Sequence, residues 1–203
     1  MLSGAASAVR GQSHRTARAS VLVLCLIFAL DLGWRLASGP AGGSDFALID
    51  EPAHMLTAVL LLLALVAAGF RPSVAFVAAA LVASVAIDLD HLPRYLGWDG
   101  LSDGVPRPYT HSLFTPVLLI VAGQLAGGRW REIGFGAAFG VTAHLLRDLG
   151  TGFGVPLVWP LSRTAVAVPY AVVATILVLV ACLAVWRSMV AAGTSPPAHR
   201  IAA

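Results

Sequence analysis

Apolar residues in this chain run in long blocks and do not alternate or follow a single helical stripe. The blocks cover about 20–38, 53–69, 73–91, 111–127, 133–149 and 165–186, with short Gly-, Pro- and Arg-containing stretches between them. A helix needs about 20 apolar residues to cross the ~30 Å hydrocarbon core of a bilayer. The pattern therefore predicts an all-α fold, a polytopic membrane helical bundle of about six transmembrane helices. Residues 20–188 make one membrane domain. Residues 1–19 read as a basic, disordered cytoplasmic tail and residues 189–203 as a flexible C-terminal tail. The first block also has the make-up of a signal peptide, a basic start and small residues at Ala37-Ser38-Gly39, but it is read here as a retained span. No internal repeat is visible.

Composition agrees with the blocks. The chain is 58% hydrophobic and 11% charged, against about 25% charged in ordinary soluble domains, and its mean hydropathy is +0.85. The net charge is +3, and all 13 basic residues are arginine. They gather at block ends and not in a stripe, which argues against nucleic acid as a partner. Cys25 and Cys182 lie inside apolar blocks and read as two buried thiols, with no disulfide framework or thiolate metal site. Asp31 and Arg35, four residues apart, are expected to pair along one helical face.

With the N-terminus inside and the blocks alternating, Arg10, Arg15, Arg18, Arg71, Arg129, Arg131, Arg187 and Arg200 lie on the cytoplasmic side. Arg35, Arg94, Arg107, Arg147 and Arg163 lie outside, in keeping with the positive-inside rule. The acids are more lopsided, since only Glu132 falls inside. The histidines sharpen this asymmetry. His54 opens the second block, His91 closes the third, His111 opens the fourth and His144 stands near the end of the fifth. In an alternating bundle all four meet at one end, whichever way the chain is inserted.

Carboxylates accompany them. Asp88-Leu-Asp90-His91 puts Asp88 and His91 at i, i+3, and His144 and Asp148 stand at i, i+4, so each pair shares a helical face. Each piece alone has an ordinary reading: a histidine snorkelling at a helix end, or Thr110-His111-Ser112 as a helix cap. Together, His54, Asp88, Asp90, His91, His111, His144 and Asp148 form a ligand pool at one membrane depth. Without a cation such groups repel and desolvate one another. Imidazole and carboxylate suit a divalent metal, Zn²⁺ first, with Mn²⁺ or Fe²⁺ as alternatives. The pool is large enough for one ion or two.

Three motifs carry a family resemblance. Asp88-Leu-Asp90-His91, Arg107-Pro-Tyr-Thr110-His111-Ser112 and His144-Leu-Leu-Arg-Asp148-Leu-Gly-Thr151-Gly-Phe-Gly154-Val-Pro156-Leu-Val-Trp159-Pro160 resemble the YdjM-like family of inner-membrane metal-dependent hydrolases, over about residues 50–162. The resemblance implies a multi-span helical protein of the inner membrane with a His/Asp metal centre, and it leaves the substrate open. The chain departs from the pattern at Pro106-Arg107-Pro108, where the family often has His-Arg-Gly, and at Ala86, where a proline is common.

The leading expectation is a membrane-embedded hydrolase acting on a phosphate ester or lipid-linked substrate at the extracytoplasmic interface. Asp90 or Glu51 is the candidate general base and Arg107 the candidate phosphate holder. The partners expected are membrane lipid and an amphiphilic phosphate. A metal transporter or sensor is the rival, disfavoured because transport sites lie near the midplane. A structural protein with a solvated polar rim is the third reading.

Overall fold

The computed structural model describes residues 2–37, 47–102, 105–151 and 153–193. Among them the fold is helical. In chain order the elements are α1 (Leu2–Ala37), α2 (Ala47–Ala67), α3 (Val74–Ala86), a 3-10 turn (Ile87–His91), α4 (Leu92–Tyr95), α5 (Phe114–Ala126), α6 (Gly128–Thr151) and α7 (Tyr170–Gly193). The β-structure described is one isolated bridge, Val155 to Val166. Asp45, Asp103 and residues 194–203 lie outside the described residues.

Among the described residues, four stretches are long and apolar enough to cross a membrane: Ala8–Leu36, Asp50–Ala67, Val74–Arg94 and Tyr170–Gly193. The remaining two helices differ from plain spans. Helix α5 is apolar but has only 13 residues, about 20 Å at 1.5 Å per residue, because the segment before it is drawn into the interior as non-helical chain. Helix α6 has 24 residues, carries five glycines and small alanines along its length, and ends in the ligand motif.

Those glycines position the site. A Cβ on Gly136 would fall 2.2 Å from the Phe76 carbonyl oxygen, and one on Gly140 would fall 2.1 Å from that of Ala80. Only hydrogen on the α-carbon lets the α3 and α6 backbones come this close, the small-residue packing typical of membrane helices. One turn beyond Gly140, the same approach brings His144 against the end of α3. A second core joins α1, α2 and α7 through Val23, Ile27, Leu60, Val173 and Leu177. At the other end of the bundle the turns are conventional. Ser73 caps α3 by accepting from the Phe76 amide at 3.1 Å and donates to Glu132 at 2.7 Å. Gly127 and Gly128, with φ of +68° and +51°, make the sharp break between α5 and α6.

Several expectations are corrected. Helix α1 begins at Leu2, so the stretch expected as a disordered tail continues the first helix. Its alanines are strong helix formers, and Thr16 and Ser20 bury their hydroxyls by donating to carbonyls four residues back. At the other terminus α7 runs to Gly193, into the expected tail. The link expected at 128–132 belongs to α6, which starts directly after Gly127. Thr110-His111-Ser112 does not cap a helix, because α5 begins after Leu113, which makes no side-chain cap. Cys25 and Cys182 are exposed, on outward faces of α1 and α7 where apolar side chains also point away from the bundle.

Candidate metal centre

The four histidines expected to converge do so, at one end of the bundle. His54 comes from α2, Asp88, Asp90 and His91 from the 3-10 turn, His111 from the segment before α5, and His144 and Asp148 from α6. The turn tightens after Ala86, so Asp88 and Asp90 both reach inward, where a continued α-helix would separate them by 200°. The segment carrying His111 is irregular backbone held inside protein, which a membrane bundle tolerates only when it is buried. Val105, Tyr109, His111 and Ser112 are buried there, and Leu113 donates its amide to the Leu157 carbonyl at 3.0 Å. Tyr109 stacks on Trp159 at 5.2 Å, which ties this segment to the loop after α6.

Among the described residues, three overlapping groups place ligand atoms within 4.8 Å of one another: Asp88, Asp90, His91 and His111; His54, Asp88 and His144; and His111, His144 and Asp148. Asp88 is the hub. Its Oδ1 lies 3.0 Å from His111 Nε2, 3.3 Å from His91 Nδ1 and 3.5 Å from His144 Nε2. Asp90 faces His91 Nδ1 at 3.0 Å and His111 Nδ1 at 3.2 Å, and it also accepts the Thr110 hydroxyl. Asp148 Oδ2 lies 3.1 Å from His144 Nε2 and 3.6 Å from His111 Nε2, while its Oδ1 lies 3.4 Å from His54 Nε2. The side chains of His54, His111, His144 and Asp148 are fully buried; Asp88, Asp90 and His91 keep 20%, 12% and 20% exposure.

His144 shows why this set fits a cation. Its Nδ1 donates to the Ser84 carbonyl at 2.9 Å, which leaves Nε2 of the neutral ring as an acceptor. That acceptor faces carboxylate oxygens of Asp88 and Asp148, which are acceptors too. His144 Nε2, both nitrogens of His54 and Asp148 Oδ1 are buried without a hydrogen bond, and buried polar atoms rarely stay unpaired. Lone pairs pointed at lone pairs are repaired by a positive centre between them. A backbone carbonyl on the far nitrogen is the usual orienting partner of a metal-bound imidazole. The rings of His54 and His144 stack at 3.8 Å, so they face the centre side by side. Both ring nitrogens of His111 face carboxylates, Nε2 that of Asp88 at 3.0 Å and Nδ1 that of Asp90 at 3.2 Å.

Arg107 and Glu51, the other residues singled out from sequence, flank the cluster. Arg107 Nη1 lies 2.9 Å from Asp148 Oδ2, so it reaches the centre. Glu51 lies beside Asp88 on the outer wall of α2, with one carboxyl oxygen buried and unpartnered.

A second polar cluster escapes the sequence reading. Arg147, 2% exposed, donates to Asp31 Oδ1 at 2.5 Å and sits 3.3 Å from Asp50 Oδ1. Tyr170 donates its hydroxyl to Asp31 Oδ2 at 2.5 Å. Arg35 is therefore not the partner of Asp31; its guanidinium lies 4.4 Å above the Tyr170 ring, since Asp31 points into the bundle and Arg35 sits one turn nearer its rim. Asp50 links the two clusters, with Oδ2 3.5 Å from His54 Nε2. Two opposite charges inside apolar blocks, Asp31 and Arg147, were the available signal, because unpaired charge inside a span is costly.

Comparison with curated proteins returned no match, and comparison with solved structures returned none. The sequence profile of the YdjM inner membrane protein family matches residues 49–202. That stretch holds every residue of the His/Asp cluster and leaves out α1 with Asp31. With most of its length matched, the chain belongs to the family of YdjM inner membrane proteins.

Proposed function

We propose that this protein is a membrane-embedded, metal-dependent hydrolase of phosphate esters, with the N-terminus cytoplasmic, about six spans and the site at the extracytoplasmic interface. The observation that carries the reading is His144 Nε2, an acceptor held against the carboxylates of Asp88 and Asp148, beside the unpaired ring nitrogens of His54. It asks for a divalent cation, and its nitrogen and oxygen donors, with no thiolate, fit Zn²⁺, Mn²⁺ or Fe²⁺. His54, Asp88 and His144, with Asp148 facing both imidazoles, would hold one ion. Asp90, His91 and His111, sharing Asp88, would hold a second. An ion held by these residues would supply a water nucleophilic near neutral pH and offset charge on a phosphate.

The chain's own groups supply the remaining roles. Arg107 reaches Asp148 in the metal-free chain; with Asp148 engaged by a cation, its planar guanidinium is free to hold two phosphate oxygens. Asp90 is committed to Thr110, His91 and His111, which suits a ligand. Glu51, with an unpartnered oxygen beside Asp88, is the better-placed group to take a proton from attacking water. His144 is fixed by Ser84 and His54 by stacking, so neither needs to reorganise.

The test is metal content and hydrolysis of p-nitrophenyl phosphate by the purified full chain. Stoichiometric metal, with turnover lost in His144→Ala and in Asp88→Ala, supports the reading. Absence of stoichiometric metal in folded protein, or turnover that survives both substitutions, overturns it.

A further inference from the structure

We propose that the groove between α2 and α3 holds the hydrocarbon chain of a phosphate-bearing lipid, whose headgroup meets the His/Asp cluster at Asp88. This rests on the hydrolase reading and names its substrate class.

The groove encloses about 660 Å³. Met55 from α2 and Leu81, Val82 and Val85 from α3 form its apolar wall, while Glu51 and Asp88 stand at one end. Leu81 and Val85 stand four apart on α3, so they share one helical face, and Leu89 of the 3-10 turn extends the apolar lining. From Leu81 to Asp88 the lining covers about 10 Å. One end is therefore hydrocarbon and the other is the hub of the metal cluster, the shape of an amphiphile.

Access points the same way. His54, His111, His144 and Asp148 are fully buried, so nothing approaches the centre past them. The cluster opens where Asp88, Asp90 and His91 keep partial exposure, and Asp88 borders the groove. Met55 and Val82 are 40% and 65% exposed, so the wall opens sideways, toward where a bilayer would lie. A water-soluble phosphate gains nothing from such a wall. Glu51 and Asp88 by themselves repel an anion, so a phosphate settles at this end only when a cation is bound. Metal dependence thus separates a specific occupant from ordinary lipid covering an apolar face.

The experiment uses the full chain, loaded with Zn²⁺, in phosphatidylcholine nanodiscs containing phosphatidic acid with a photoreactive diazirine on its acyl chain. Diacylglycerol with the same acyl chains and no phosphate is the control probe. After irradiation, labelled peptides are mapped by mass spectrometry. Phosphatidic acid should label Met55 and residues 81–89 several-fold more than diacylglycerol does. The excess should vanish on chelation and in Val85→Trp, with Val82→Phe as a second variant at an exposed position that does not test folding. Zn²⁺ content should be unchanged in both variants. Equal labelling by the two probes, labelling that persists without Zn²⁺, or a chain-to-chain crosslink through this face in place of lipid would each overturn the proposal. A chain that binds no Zn²⁺ refutes the hydrolase reading itself, whereas a Zn²⁺-loaded chain without selective labelling refutes only the lipid assignment.

Discussion

Two buried polar clusters lie side by side in this bundle, and they are built on opposite principles. In the first, Arg147 is met by Asp31 and Asp50, and Tyr170 completes Asp31. Opposite charges face one another, and none of these four side chains has an unpaired buried atom. In the second, the acceptor nitrogen of His144 faces the carboxylates of Asp88 and Asp148, and buried atoms of His54, His144 and Asp148 lack hydrogen bonds. The first cluster is complete as protein. The second keeps those atoms unmatched even with Arg107 against Asp148, and a further positive centre among them would match them. Burial and polarity are common to both, so neither property identifies a metal centre; the sign of the facing groups does.

The largest effect should come from breaking the self-sufficient cluster. Arg147→Met leaves Asp31 and Asp50 buried without a cation, and removal of one partner of a buried pair costs about 3–5 kcal/mol. Thermal unfolding in detergent should show a large loss, and the double variant Arg147→Met/Asp31→Asn should recover part of it. An Arg147→Met protein as stable as the parent would mean that the cluster is not what holds α1 to α6.

Next in size is the response of the other cluster to metal. A ligand present at 100 times its Kd stabilises the folded state by about 2.7 kcal/mol. Zn²⁺ should raise the unfolding temperature of the parent chain and of Arg35→Gln alike, and should do nothing for Asp88→Asn/His144→Ala.

The pH dependence separates the clusters again. Imidazole ligands bind metal only when unprotonated, so Zn²⁺ affinity should rise by about tenfold per pH unit wherever one proton is released per ion. Isothermal titration at several pH values in two buffers of different ionisation enthalpy measures both the slope and the protons released. A flat profile with no protons released would contradict binding through the histidines. The smallest effect is expected from Asp31→Asn with Arg147 retained. Asp31 reaches His54 only through Arg147 and Asp50, so metal affinity should fall toward the lower end of the 10- to 100-fold range seen for groups that orient ligands.

How much of this was readable beforehand follows from where each signal sits. The convergence of His54, His91, His111 and His144 was legible because block ends alternate sides, and a residue at a block end inherits its side from the count alone. The hub role of Asp88 was not, since it depends on the tightened turn after Ala86. Pairing of Asp31 with Arg147 was hidden by a nearer decoy, Arg35, whose i, i+4 spacing satisfies the helix rule but whose rotation carries it over Tyr170. The length of α5 was overestimated because apolar content does not reveal that Tyr109, His111 and Ser112 are wanted inside as irregular chain. The close approach of α3 and α6 could be suspected from the glycines of α6, but its partners, the carbonyls of Phe76 and Ala80, carry no side-chain signal.

The central claim, that the acceptor-rich cluster is a metal centre, is tested most directly by X-ray absorption at the metal edge on the purified full chain, with metal content measured on the same sample. The account predicts one or two ions per chain and a first shell of nitrogen and oxygen alone, at about 2.0–2.2 Å for Zn²⁺, with the imidazole signature lost in proportion in His144→Ala. Folded protein without stoichiometric metal, or a shell containing sulfur, would contradict it.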